Sequence, residues 1–436
     1  MRHAHTLSLV ASVLLALPAH AEPTGCQPPT ALAQPAESPP PRQSLVQLLS
    51  LAEQRSQAIG AARLLTEAAQ SDLQETQAAK QPQASLSWIA GATGSRSQLL
   101  PSRSDALNRP SLQVGAPLWD GGRQQALEDW RGQLAEAARQ GQLNAAEQLR
   151  VQVVNLAFDR SRYRLQAQVW QQYTHKVCTL VQALEDIVAR DRGRASELVQ
   201  ARKQLQQVQL SRQQALSAMQ LTDTRLRRYV GEYLPDVPSL AALMTELPEL
   251  PQLHQRATGA AEVLQLEAQQ HAAEQLANAT AASQRPQVSW AVQASRDLAG
   301  DRQSQWQAGV TLSLPLYNPG AAPAERAARQ RAEAARLQRE DTLATLLNRI
   351  DQVHGQAEAA FTRARDVVQV LRDSERVRDD TLQMWQQLGR RSLFDVMSAE
   401  GDHFNLRLAY VDALHDGQQS VALLWSLAGG VQQPLR

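Results

Sequence analysis

The sequence predicts a mainly α-helical chain with a small β part, built as two copies of one half-protein. Three observations carry this. The segment Pro82-Gln83-Ala84-Ser85-Leu86-Ser87-Trp88 returns as Pro286-Gln287-Val288-Ser289-Trp290, and further matching points recur at about the same 200-residue spacing, far longer than a solenoid unit. Four short segments alternate apolar and polar residues. Each strand pair runs into a very long Ala/Gln/Arg/Glu-rich stretch that reads as helix and turns at Gly193 or Gly389.

Composition narrows the architecture. Only 4% of the 436 residues are aromatic, and much of the 43% hydrophobic content is alanine. Such a chain fills no thick core; it builds walls in which each helix buries one narrow stripe. The net charge of +1 gives no reason to expect nucleic acid as a partner.

At the N-terminus, Arg2 and His3 lead into the apolar run Leu7 to Leu17, and Ala19-His20-Ala21 supplies the small residues a signal peptidase reads. Residues 1–21 are therefore expected to be a secretory signal. Pro23-Thr24-Gly25-Cys26 lacks a large apolar residue three positions before the cysteine, so acylation of Cys26 is not expected. Cys178 lies far away in this reading, and no disulfide bridge is expected. Residues 22–43 form a Pro-rich leader. The first repeat occupies 44–232, a Pro-punctuated linker 233–251, the second repeat 252–430 and a tail 431–436.

Within the first repeat a helix is expected from Leu45 to Lys80, strands near 83–94 and 109–119, and a helical run from Gly121-Gly122 to about Arg190. That run carries Leu165, Val169, Tyr173, Val177, Leu180, Leu184 and Ile187, the four-and-three spacing of a coiled-coil seam. The helix Ser196 to Val230 carries Leu198, Leu205, Met219 and Leu226 at sevenfold spacing, with Ala201, Val208, Ala215 and Thr222 in the second seam position. The second repeat predicts a helix over 252–284, strands 286–296 and 305–317, and helices about 322–388 and 392–428. A helix of nearly 70 residues is on the order of 100 Å long, more than a compact domain needs.

The strands have the length and dyad pattern of transmembrane β-barrel strands. Leu86 and Trp88 share one face of the first, and Leu112, Val114, Ala116 and Leu118 one face of the second. Val288, Trp290, Val292 and Ala294 face one way in the third; Trp306, Ala308, Val310, Leu312, Leu314 and Leu316 do so in the fourth. Leu86, Trp88, Val114, Trp290, Val310, Leu312 and Leu314 are the expected lipid-facing residues. Trp88, Trp119, Trp290, Trp306 and Tyr317 cluster near strand ends, where aromatic girdles sit. Four strands close no barrel with a usable lumen, and open edges in lipid leave backbone groups unsatisfied. Several copies must then share one barrel; two, three or four are physically allowed. The competing reading is a soluble periplasmic coiled-coil scaffold with two hairpins wet on one face.

Three segments narrow this further: Pro117-Leu118-Trp119-Asp120-Gly121-Gly122; Gly193 with Glu197-Leu198-Val199-Gln200-Ala201; and Leu388-Gly389-Arg390-Arg391-Ser392-Leu393-Phe394-Asp395-Val396-Met397, with Leu427-Ala428-Gly429-Gly430 closing the next helix. In this order, at repeat spacing, the chain resembles the TolC-like family of outer-membrane efflux channels over nearly its whole mature length. The resemblance implies a homotrimer with a twelve-stranded transmembrane β-barrel, four strands per subunit, in outer-membrane lipid, and a long α-helical coiled-coil barrel extending into the periplasm. It implies a periplasmic adaptor (membrane fusion) protein and an inner-membrane pump or ABC transporter as partners, for small-molecule efflux or type I protein secretion. Gly193 and Gly389 would be adaptor-docking tips. Arg391 matches a tip arginine that ties neighbouring helices shut, and Asp395 an aspartate ring at the periplasmic gate. The family's second ring aspartate falls at Ser398 here, and a tyrosine of the closing network at Gln386, so a less acidic, less tightly locked gate is expected.

The sequence shows no H-E-x-x-H, P-loop, dinucleotide fingerprint or nucleophile elbow. His175, His254, His271, His354, His403 and His415 are scattered singly and are expected to face solvent. No enzyme, cofactor or metal is expected.

Overall fold

Long helices form wherever alanine, glutamine and arginine dominate, and they stop at short polar or glycine turns. The computed structural model describes residues 40–95, 103–235, 239–299, 303–388 and 391–435. The expected signal segment, most of the expected leader, Cys26 and Gly389 lie outside the described residues. In chain order the elements are α1 (Pro41–Arg55), α2 (Gln57–Ala78), β1 (Gln83–Ser95), β2 (Arg103–Trp119), α3 (Arg123–Arg190), α4 (Ala195–Val230), α5 (Leu250–Ala257), α6 (Ala261–Ala282), β3 (Gln287–Arg296), β4 (Ser304–Ser313), α7 (Ala321–Leu388) and α8 (Leu393–Leu427). The order helix, helix, strand, strand, long helix, helix occurs twice. No described helix is long and apolar enough to cross a membrane, which says nothing of the strands.

Four expectations need correction. The first helix begins at Pro41 and breaks at Ser56, whose extended backbone leaves its Oγ to accept from the Ile59 N–H at 3.3 Å and cap α2. The helix expected over 252–284 breaks into α5 and α6 around Gly259. β2 starts earlier than expected, at Arg103. β4 ends at Ser313, two residues before Pro315, so Leu314 and Leu316 lie outside the strand.

By its contacts the chain divides into two compact units. One comprises residues 164–217 and 369–408, the other the described parts of 38–163, 218–368 and 409–436. The second unit holds two repeat-related cores. In one, Leu45, Leu48 and Leu49 of α1 pack with Val153, Val154 and Phe158 of α3 and Leu226 of α4. In the other, Leu253 and Ala257 of α5 pack with Ile350, Val353 and Ala357 of α7. In each repeat, then, a short helix covers its own long helix. α8 serves both, giving Ala422 to the first core and Val421 and Leu424 to the second.

The linker between the repeats is latched to this unit. The buried Gln418 side chain donates through Nε2 to the carbonyls of Leu240, Ala241 and Leu243 at 3.1, 2.9 and 2.6 Å. Ser161 Oγ accepts from the Leu240 N–H at 3.1 Å. Met244 follows at a φ of 54°, the left-handed region where a non-glycine residue is uncommon.

In the first unit the expected seam is present. Val169, Tyr173, Val177, Leu180 and Leu184 of α3 are buried. In α4 the ranking is reversed: Ala201 and Val208 are buried, whereas Leu198 and Leu205 are only partly covered. Small residues allow the closer approach. Cys178 is disulfide-bonded, against expectation. A cysteine in an oxidising compartment can be held this way even on a long helix.

Strand passes to helix through matching turns. Asp120 Oδ1 accepts from the Gly122 N–H, and Asn318 Oδ1 from the Gly320 N–H, each at 3.1 Å. Gly121 has a φ of 70°, and a Cβ there would come within 2.5 Å of Arg285 Cβ. Gly121→Ala is therefore expected to destabilise the chain by ~1–2 kcal/mol or more. Gly60→Ala, in open space on α2, should instead stabilise by ~0.5–1 kcal/mol. Thermal unfolding of the two variants measures both, and equal effects would contradict the assignment of strain to Gly121.

Candidate functional site

The sheet is antiparallel in the order β1-β2-β3-β4, so β1 and β4 are its edges. Its register sorts residues into continuous rows. Leu86 pairs with Leu112, Leu112 with Ala294 and Ala294 with Trp306. The next row is Ala84, Val114, Val292 and Ala308; then come Ala116, Trp290 and Val310. The opposite face carries Ser85, Gln113, Gln293 and Gln307 in one row and Ser87, Ser111, Ser295 and Gln305 in another. One face is thus apolar across all four strands, and the other is mostly amide and hydroxyl. Leu86, Trp306 and Leu312 stand 76%, 80% and 67% exposed.

The structure puts Leu86, Trp88, Val114, Trp290, Val310 and Leu312 on that single face. Leu314 is not among them, because the strand has ended. Leu118 also departs from its expected place. Pro117 pairs with Ser289, but Trp119 pairs with Val288, so a bulge sets two residues against one. Trp119 then takes the row expected for Leu118. A Cβ on Gly115 would lie 2.7 Å from the Trp290 carbonyl oxygen, so the strands close up just before the bulge. Trp119 and Trp290 mark the helix end of the apolar face, and Trp88 and Trp306 the loop end. Trp88 Nε1 donates to Asn108 Oδ1 at 2.7 Å, satisfying the ring's polar edge. On the polar face Arg109 donates through Nε and Nη2 to Asp297 Oδ2, at 3.3 and 2.6 Å.

The turns of the other unit are built differently from expectation. After α3, Asp191 Oδ1 accepts from the Gly193 N–H at 2.9 Å, and Arg194 pairs with Glu197 at 2.7 Å. Gly193 is not in the left-handed region. A Cβ there would meet only Asp191 Oδ1, at 3.1 Å. The turn does not need a glycine backbone there, and the reversal is made by the Asp191 side chain. At the second turn Asp395 forms no ion pair with Arg391 among the described residues. Instead Asp395 Oδ2 accepts from Ser392 N and Ser392 Oγ at 3.0 and 3.1 Å, while the Asp395 N–H donates to Ser392 Oγ at 3.2 Å. This is a reciprocal capping box at the start of α8. Its signal, Ser392-Leu393-Phe394-Asp395, is present in the sequence. Behind it Leu180, Val181, Leu184, Ala201, Trp385, Leu393, Val396 and Met397 close the helix ends together.

Sequence reasoning missed the polar residues farther along α8. His403 is buried in this unit, as is His415 in the other, against the expectation of solvent-facing histidines. His415 Nδ1 donates to the Val411 carbonyl at 2.8 Å, and burial pushes its pKa down. Glu400 is 2% exposed, with Oε1 3.9 Å from Arg378 Nε and Oε2 without a partner. Both Glu400 and His403 continue the stripe of Leu393, Val396, Phe404 and Leu408, and that helical spacing was the available clue. Burial raises the Glu400 carboxyl above its ordinary range, against the pull of Arg378 and Lys176. Burial, with Arg378 and Arg407, lowers His403.

These features define a class of fold: two repeats of long helices, each interrupted by a strand pair, with the four strands joined in one open sheet. Solved membrane-channel structures have it. The chain is similar to CusC, from a study of transmembrane channel formation, at 17% identity, covering 89% of this chain and 92% of that one, with a TM-score of 0.79. It is similar to the outer membrane protein VceC of Vibrio cholerae at 20% identity, 89% and 97% coverage and a TM-score of 0.76. It is similar to the open state of the MtrE outer membrane channel of Neisseria gonorrhoeae at 15% identity, 89% coverage of both chains and a TM-score of 0.75. No protein-family model matches the chain, and no curated protein sequence does. At these identities the likeness establishes the fold, and the TolC-like resemblance holds at that level.

Two outcomes are expected. Ser392→Ala and Asp395→Ala should each cost ~1 kcal/mol, and the double variant less than their sum, because the two caps are reciprocal; thermal unfolding of all three tests it. Glu400 has a raised folded-state pKa, so its contribution is fully present below the ordinary carboxylate value and lost as pH rises through the raised one. Glu400→Gln should therefore gain melting temperature over the native chain at neutral pH, and the gain should vanish near pH 4. A gain independent of pH would show that packing, not ionisation, is the cause.

Proposed function

We propose that this chain is one subunit of an outer-membrane export channel that conducts substrates from the periplasm to the exterior. The observation that carries the reading is the sheet: four strands, one face apolar in continuous rows, the other polar, and two open edges. A sheet with these properties fits a barrel shared between copies, apolar to lipid and polar to lumen. The fold it shares with outer-membrane channels supports a homotrimer with twelve strands, and the N-terminal signal-like segment supports export from the cytoplasm. On this reading the long helices extend into the periplasm. Their turns, near Gly193 and Gly389, receive a periplasmic adaptor and an inner-membrane pump or ABC transporter. The channel has no catalytic work of its own. Small-molecule efflux and type I protein secretion use the same conduit, and the partners choose the cargo.

The gate belongs at the same turns. Arg391 is exposed, and Asp395, though it caps α8, is only half-buried, so its carboxylate can still add negative charge at an entrance. Asp395→Asn separates the two roles, because the asparagine carbonyl oxygen can still accept from the Ser392 N–H while the charge is gone. It should keep the melting temperature and lower the cation preference in planar-bilayer recordings. Unchanged selectivity would leave the residue a cap alone.

The barrel assignment is tested on β4. Leu312→Arg places a charge on the apolar face, at ~2–4 kcal/mol per copy if the position is near the bilayer midplane, whereas Thr311→Arg points to the lumen. The heat-stable oligomer on gels should be lost for the first and kept for the second. Equal sensitivity at both positions would overturn the assignment.

A further inference from the structure

Among the described residues, the apolar face carries one cation that nothing neutralises. Arg296, the last residue of β3, pairs across the ladder with Ser304 and shares the parity of Val288, Trp290, Val292 and Ala294. Arg109, on the other face, is bound to Asp297. Arg296 is exposed and has no ion pair or side-chain hydrogen bond among the described residues. Below it a groove opens in the apolar face, lined by Leu86, Pro110, Leu112, Ala294, Trp306 and Arg296 itself.

The position is as telling as the charge. From the Val288 row, where Trp119 sits, to Arg296 is eight residues along the strand, about 26 Å at ~3.3 Å per residue. That matches an apolar band of about 25 Å, less any strand tilt. Arg296 therefore stands at the loop edge of the band, level with Trp88 two strands away and one row beyond Trp306. An unpaired arginine is costly within hydrocarbon and well placed at its rim. There its planar fork matches a phosphate, which it can hold in two parallel hydrogen bonds.

We infer that Arg296 and the groove beneath it form a binding site for an anionic lipid, with the phosphate held by the guanidinium and one acyl chain lying over Leu86, Leu112 and Trp306. The site rests on the reading of the sheet as a membrane barrel. Because the helices leave from the opposite end of the strands, the lipid belongs to the outer leaflet. The lipid would also fill a groove that otherwise leaves Trp306 poorly packed.

Brominated acyl chains quench the tryptophans they touch, so the full chain can be reconstituted in phosphatidylcholine vesicles containing a small fraction of either brominated phosphatidylglycerol or brominated phosphatidylcholine. The native chain should favour the anionic quencher by about fivefold, the advantage one basic residue gives beside an anionic lipid. Arg296→Gln should bring that ratio to about one. The charge-neutral double variant Arg109→Gln with Asp297→Asn, on the other face, should leave it unchanged. A native ratio of one, a ratio that survives Arg296→Gln, or an equal fall in the double variant each overturns the site while leaving the barrel standing. No quenching by either lipid overturns the barrel itself.

Discussion

Register is the constraint on which the sheet depends. Because side chains alternate with a period of two, a slip of one residue between any two strands would exchange the faces. Leucine would then stand where glutamine stands now. The four strands hold one register over every apolar row from Leu86 to Leu312, apart from the bulge at Pro117–Trp119. That bulge falls where the strand hands over to the Asp120-Gly121-Gly122 turn, so a break in pairing coincides with a change of direction. Arg285 locks the same place by donating to the Gly121 carbonyl at 2.7 Å. Sheet and helix are thereby fixed to each other at one point, and the orientation of both faces follows from it.

The edges impose the second requirement. β1 and β4 each leave a row of backbone groups without a strand beside them. In water those groups would be hydrated; in hydrocarbon each costs several kcal/mol. A chain whose sheet is coated with exposed leucine, valine and tryptophan on one side cannot rest in either solvent alone. Closure with further copies of itself satisfies both demands at once, which is why the proposed channel is a property of the assembly and not of the subunit.

Much of this was legible in the sequence because strong periodicities survive folding. The strands alternate clearly, and the α3 seam from Val169 to Leu184 is buried as its spacing required. What was not legible involves single residues that change the backbone without changing the composition around them. Ser56 splits a helix by turning its hydroxyl on the next turn's N–H, and nothing nearby becomes less helical in character. Pro315 was visible, but the alternation of Leu312, Leu314 and Leu316 continues past it and masks the strand's end. Asp395 reads as a tip charge, and its part in a capping box appears only where its carboxylate turns back on Ser392. Glu400 and His403 interrupt an apolar stripe, and only the packing of neighbouring helices reveals that the stripe stays dry there.

The sharing of α8 gives the repeat a different meaning from the one its sequence suggests. Two similar halves would be expected to behave as separable modules, each closing on its own short helix. Yet Ala422 serves one half's core, and Val421 with Leu424 the other's, all on one stretch of helix. Gln418, on the same helix, also holds the linker that joins the halves. The first half, synthesised first, must therefore wait with an incomplete core until almost the last residues are made. The duplication that doubled the chain has made its C-terminal helix the keystone of both copies, so that neither can settle before the whole has been delivered.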